Sequence, residues 1–303
     1  MADLAMRPLS VGEILDRSFA LLRARFGALF LVGLACFVIP IFLAVGSLAD
    51  FSQLSQQATV AQPAQMDLAL GMLGRLFWVA LVAFFGFIVA RGAWVHLVSE
   101  TILGRDAGAG VALRRGLSTA LPMAGLSFLE GAIFFGIYLG LALPTLLVVS
   151  TVFHGTPLAA VALVTVVVLG GIVLAAWVYA GLYVAAPALV LDRPTGVMHA
   201  LSHSWALSLG RRGAILSIIS LLAVLALLVQ LAVALGLGTF GSTIGAGPQV
   251  LGPMALLSFG FTALFQIVLA VLGYVIQTVM YYDLRVRKEG LDLELMAGAL
   301  GHD

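Results

Sequence analysis

Charge is what this chain has least of. Asp, Glu, Lys and Arg make up 10% of its 303 residues, where an ordinary soluble domain has about 25%. From Gly213 to Tyr282, seventy consecutive positions, there is no Asp, Glu, Lys, Arg or His. A soluble fold has no use for such a run. Two membrane spans and their turn do, because one crossing takes roughly 20 apolar residues for a hydrocarbon core of about 30 Å. Cysteine is nearly absent too. Cys36 stands alone, so no internal disulfide is available, and its place in an apolar run marks it as a core or lipid-facing residue. No Walker loop, dinucleotide fingerprint, Gly-x-Ser-x-Gly elbow or His-Glu-x-x-His occurs, which argues against catalysis and implies no cofactor. No basic stripe with interleaved aromatics occurs either, which argues against a nucleic-acid partner.

What fills the chain instead is apolar. Hydrophobic residues make up 62% and the mean hydropathy is +1.15, the composition of an integral membrane protein. The polar and glycine-rich breaks predict one all-α membrane domain over residues 1–303. Its six spans lie near residues 26–47, 76–98, 121–150, 158–191, 214–237 and 253–282. Pro40 and Pro144 are expected kinks within spans. Ser47-Leu48-Ala49 fits a small-x-small cleavage site. The uncharged run Phe26 to Ala49 is 24 residues long, against roughly 7–15 for a cleavable signal, so the first span is expected to be retained.

Three weaker helices flank the spans, near residues 10–25, 111–120 and 197–209. Ser10 and Glu13 are spaced as a capping box, with Leu9 and Ile14 as its hydrophobic staple. Val11, Ile14, Leu15, Ser18, Phe19, Leu22 and Phe26 then recur at helical spacing. Val197, Leu201, Trp205 and Leu209 fall four apart in the third. These segments read as amphipathic helices in the membrane interface. A tail follows at 283–303.

The cations set the expected orientation. Arg7, Arg17, Arg23 and Arg25 precede span one. Arg105, Arg114 and Arg115 lie between spans two and three, and Arg193, Arg211 and Arg212 between four and five. Arg285, Arg287 and Lys288 follow span six. These are thirteen of the 15 Lys and Arg residues. Loops with the Lys/Arg excess stay in the cytoplasm, so both termini are expected there. Spacing also hints at repetition. Arg17 precedes Gly27 by ten residues, Arg115 precedes Gly125 by ten and His203 precedes Gly213 by ten. The expectation is three hairpin-like repeats, each preceded by a cytoplasmic interfacial amphipathic helix.

Three stretches carry a resemblance. They run from Met6 to Phe19 (Met6-Arg7-Pro8-Leu9-Ser10-Val11-Gly12-Glu13), from Ala188 to Arg211 (with Asp192 and Ser204-Trp205-Ala206-Leu207-Ser208-Leu209-Gly210-Arg211), and from Tyr281 to Gly290 (Tyr281-Tyr282-Asp283-Leu284-Arg285). Together, and in this order over nearly the whole chain, they resemble bacterial proteins named for the membrane domain of glycerophosphoryl diester phosphodiesterase. The resemblance implies a multi-pass protein of the bacterial inner membrane. In some members the domain precedes a soluble barrel that hydrolyses glycerophosphodiesters. Only 21 residues follow Tyr282 here, so that enzymatic half is not expected to carry over.

Within the spans a few polar residues stand out. Arg91 and Glu130 fall at matching depths in spans two and three, at about 1.5 Å per residue, and are expected to pair, because a lone charge in hydrocarbon is costly. The pair reads as a structural staple or as a substrate or proton site. Gln266, Gly273 and Gln277 share a face of span six, and Gln230 lies in span five; such amides commonly bond across helices. His199 and His203 are four apart and with Asp192 could begin a metal site, but no further ligand stands out, so no metal is expected. His96 and Glu100 are expected to bond each other. Arg23, Arg25, Arg211 and Arg212 fall at headgroup depth and are candidate contacts for anionic lipid. The function these features favour is structural, interaction-based or lipid-organising. The partners expected are membrane lipids and a membrane or cytoplasmic protein that the sequence does not specify. A transporter or lipid-handling protein using the intramembrane polar residues is the alternative. An accessory module of a glycerophosphodiester-hydrolysing system rests on the resemblance alone.

Overall fold

In lipid, a chain must bond its own backbone groups, and a helix does so within one segment. The computed structural model describes residues 8–56, 62–153, 157–192, 196–243 and 248–290, and there the chain forms helices and no strand. They are α1 (Val11–Gln56), α2 (Gln62–Ile102), α3 (Ala109–Ser118), α4 (Ala120–Val152), α5 (Pro157–Leu182), α6 (Ala185–Leu191), α7 (Gly196–Ser208), α8 (Arg212–Thr243) and α9 (Pro248–Glu289). Six segments among the described residues are long and apolar enough to cross a membrane: Val11–Gly46, Leu70–Ile102, Ala120–Val152, Leu158–Leu191, Arg212–Leu235 and Leu257–Glu289. This is a multi-pass helical membrane protein. Large apolar side chains such as Phe42, Leu121, Phe128 and Leu158 stand exposed along these helices, which suits a surface solvated by acyl chains.

Two details differ from the sequence expectation. The segment expected as a separate interfacial helix and the first span are one helix, α1, whose backbone leaves helical geometry at Arg25 (φ −124°, ψ 19°) and not at Pro40. The break falls where the amphipathic pattern gives way to the apolar run. Span four, expected as one rod, is interrupted at Tyr183-Val184 and resumes as α6. Pro187 explains the break: it has no N–H for the Tyr183 carbonyl four residues back, and its ring collides there if the helix continues. In the first turn of α6 the same proline costs no bond.

The residues gather into two compact units, each built from segments far apart in sequence. The first holds Gly12–Ala120 and Ser220–Val279. Hydrophobicity does not drive helices together in lipid, so close packing must. Glycine supplies it at two crossings. A Cβ on Gly86 would run into the Cys36 carbonyl oxygen, and one on Gly116 into the Val89 carbonyl oxygen. The Cys36 carbonyl is the one that Pro40 deprives of its helical donor, so α2 lies flush against the place where α1 has an acceptor to spare. Trp94 fills the centre of this unit, fully buried. Its Nε1 donates to the Leu29 carbonyl at 2.9 Å, and its ring stacks on Phe37 and Tyr274.

The second unit holds Leu121–Ile219 with short stretches from either end of the chain, among them Leu9 and residues 280–290. Its α7 buries Ala200, Leu201, Ser204, Leu207 and Ser208. That face is turned from the expected one, and Leu209 stands exposed. The reason is polar: the Ser204 and Ser208 hydroxyls both donate to the Gly181 carbonyl, at 3.0 and 3.2 Å, and this draws the serine side of α7 inward. A Cβ added at Gly27 or at Gly213 would meet nothing within 4 Å, whereas one at Gly125 would touch Val197. The glycine common to the three proposed repeats thus has no common packing role.

Candidate functional site

In the second unit, the last turns of α9 place two charge lines on different faces. Tyr281, Arg285 and Glu289 recur every fourth residue on one, and Asp283 and Arg287 on the other. Spacing of four keeps each line on a single face.

The first line meets His203 and Asp192. The imidazole lies between two carboxylates, Nδ1 at 2.8 Å from Asp192 Oδ2 and Nε2 at 2.6 Å from Glu289 Oε1. Tyr281 donates its hydroxyl to the other Asp192 oxygen at 2.5 Å. Arg285 closes the ring, with Nε 2.6 Å from Glu289 Oε2 and Nη1 3.6 Å from Asp192 Oδ1. Lys288 Nζ bonds the Ala206 carbonyl in the last turn of α7 at 2.6 Å, where a cation meets the negative end of the helix dipole.

The second line clasps one residue of the N-terminal segment. The Leu9 amide donates to Asp283 Oδ1 at 2.7 Å. Its carbonyl accepts from Arg287 at 2.6 Å and from Arg211 at 3.4 Å. Arg287 Nε also pairs with Asp283 at 2.9 Å, and the Asp283 side chain is fully buried. A buried carboxylate is tolerable when every lone pair has a donor; removal of one partner from such a pair costs about 3–5 kcal/mol.

Arg212 begins α8 and is almost wholly buried. Its guanidinium carbon lies 3.9 Å from the centre of the Trp177 ring and 3.9 Å from that of Trp205. The two indoles meet edge to face. Gly181 lets Trp205 approach, since a Cβ there would stand 2.5 Å from its ring. A desolvated cation–π contact is worth about 2 kcal/mol, while each buried donor left without an acceptor costs about 1–3 kcal/mol. Two ring contacts therefore do not offset a guanidinium whose Nε, Nη1 and Nη2 all lack an acceptor among the described residues.

The expected site residues are distributed as follows. Arg91 lies in the first unit, 5% exposed, with its guanidinium carbon 5.6 Å from the Phe87 ring centre and 5.9 Å from that of Tyr274. Glu130, half-buried on α4, belongs to the second unit, and the pairing of the two stays an expectation. Gln277 is buried, while Gln230 and Gln266 are exposed. Arg25 pairs with Asp106. Arg23 is exposed, with Nε 3.5 Å from the Phe19 carbonyl. Glu100 pairs with Arg105 at 3.7 Å. His203 and Asp192 do meet, but His199 is exposed, its ring centre 5.7 Å from that of His203. Among the described residues no group of three or more His, Cys, Asp or Glu is arranged to hold a metal.

The sequence alone does not single out Glu289, Asp283, Tyr281 or Arg285 as a cluster, nor Trp177. The four-residue spacing at the end of α9 is the available sign of the first four; nothing comparable marks Trp177. Comparison with family models, with curated proteins and with solved structures gave no match.

Proposed function

We propose that this integral membrane protein works without catalysis of its own, as a bacterial inner-membrane scaffold presenting a fixed polar platform to the cytoplasm. The observation that carries the reading is the double clasp at the end of α9, which ties Leu9, Asp192, His203 and Arg211 to one helix. Its charged groups bond mainly to one another and to backbone, the pattern of a rigid surface and not of a centre waiting for substrate. The clasp also gathers the three stretches that carry the resemblance to the glycerophosphoryl diester phosphodiesterase membrane-domain proteins. On this reading those stretches belong together because they build one platform. The orientation follows the arginine excess, which places the platform inside the cell. Membrane lipid surrounds the spans, and a protein partner docks on the exposed side of α7.

The test is photo-crosslinking in cells from Met198 and Ser202, which stand exposed on α7, with lipids retained through purification. A discrete protein adduct is expected, lost in the double variant Asp192→Asn/Glu289→Gln while the protein stays folded. Recovery of bulk lipid alone, with no adduct from either position, would overturn the scaffold reading.

A further inference from the structure

Four arginines are expected at headgroup depth, and the structure separates them. Arg25 is committed to Asp106, and Arg211 to Leu9 and Asp283. Arg23 turns back on its own helix. Arg212 differs in kind. It is 7% exposed, and none of its three side-chain nitrogens has a hydrogen-bond partner among the described residues. Buried polar groups almost always have one, and an exception calls for a ligand or an ion.

The surroundings explain why the protein supplies none. Gly181 lies against the guanidinium, with a Cβ there placed 3.2 Å from Nη2. Its carbonyl already accepts from Ser204 and Ser208, and a carbonyl oxygen has two lone pairs. Trp177 and Trp205 pack against adjacent sides of the guanidinium, each ring centre 3.9 Å from its carbon and the two centres 5.4 Å apart. An indole ring face offers no oxygen acceptor, so Nε, Nη1 and Nη2 keep their N–H groups for an oxyanion, which Arg grips with two parallel bonds. The next residue, Gly213, is exposed with nothing within 4 Å of a Cβ, so the N-terminus of α8 beside Arg212 is open. Free N–H groups and the dipole of a helix start favour an anion there.

We propose that Arg212, the start of α8 and the two indoles form a receptor for the phosphate of a phospholipid, gated by Trp177. Position selects the source of the phosphate. Arg212 is the first residue of the span Arg212–Leu235, the level at which phospholipid phosphates lie. Trp177 and Trp205 are in ring contact beside Arg212, and Tyr179 and Tyr183 form a second ring pair near the same end of α5, as interfacial aromatics do. Trp177 is the movable wall: it is 46% exposed, whereas Trp205 is pinned against Gly181. Rotation of Trp177 breaks its edge contact with Trp205 and opens one side of the guanidinium. The inference rests on the membrane reading but not on a protein partner, so the two fail separately.

The experiment uses full-length protein in detergent with Trp78→Phe and Trp94→Phe, leaving Trp177 and Trp205 as reporters. Phosphatidylglycerol, diacylglycerol of the same chains, and inorganic phosphate are titrated in turn. Saturable change in indole emission with phosphatidylglycerol, and little with the other two, is expected. Arg212→Gln should weaken the response about tenfold or more, the loss of a charge-assisted bidentate contact, while Arg23→Gln, at an exposed arginine turned onto its own helix, should not. Should Arg212→Gln fail to fold, Trp177→Ala in otherwise native protein serves in its place. It should speed association of phosphatidylglycerol, measured by stopped flow with a quencher-labelled lipid. An unchanged rate overturns the gate. An equal response to diacylglycerol, or a stronger one to inorganic phosphate, overturns the phospholipid assignment.

Discussion

At the scale of single residues, His203 shows how much depends on one ring. Both of its nitrogens face carboxylates, so it holds apart two negative charges that would otherwise meet. His203→Ala should cost about 1–3 kcal/mol, a value at the low end of charge-assisted bonding because the side chains are partly exposed. For a chain of this size each kcal/mol lowers the unfolding midpoint by about 2–4 °C. Thermal unfolding in detergent reads the change, and molar salt should narrow it, since salt screens partly exposed charges. A midpoint unaltered in low salt would mean that the ring bears no load. Arg91 makes the contrasting case. It sits under aromatic rings in the first unit, and burial of that kind serves packing as readily as transport.

At the scale of elements, glycine and proline decide where helices touch and where they stop. Gly86 sits against the Cys36 carbonyl, which Pro40 leaves without its helical donor. A larger residue must push α2 away from α1 there, because the obstacle is backbone and cannot rotate aside. Gly86→Val should cost about 1–3 kcal/mol through overpacking. The measurement is the same detergent unfolding, with Gly12→Val, where nothing lies within 4 Å of a Cβ, as the control for helix propensity. Equal losses at both positions would remove the close crossing from the account. Pro187 does the opposite service, ending α5 at the turn from which Asp192 is then carried to His203.

At the scale of the whole molecule, the claim open to direct test is which side of the membrane each loop faces. Alkaline phosphatase fused after Asp303, or inserted directly after Asp192, should be inactive in cells, since the enzyme matures only when exported. The same reporter inserted at residues 57–61 should be active. Activity at either of the first two sites would invert the topology and place the α9 clasp outside the cytoplasm. The arginine distribution is the sole basis of this orientation, and it is a rule about loop charge, not about packing.

Spans are legible in the sequence because each depends on local composition: about twenty apolar residues cross lipid wherever they occur, and a change to polar residues ends the crossing, whereas the break at Tyr183-Val184 inside an apolar run is not. The change at Arg25, where the amphipathic pattern of α1 ends, is read from local composition. Which polar residues meet is not legible, because partners hundreds of positions apart leave no local trace. Leu9 and Asp283 are 274 residues apart, and only folding brings a backbone amide to that carboxylate. Arg211 and Arg212 are neighbours of the same charge and look equivalent in the sequence. Tertiary structure separates them, because consecutive residues at a helix start point in different directions, and one direction leads to Asp283 while the other leads between two tryptophans.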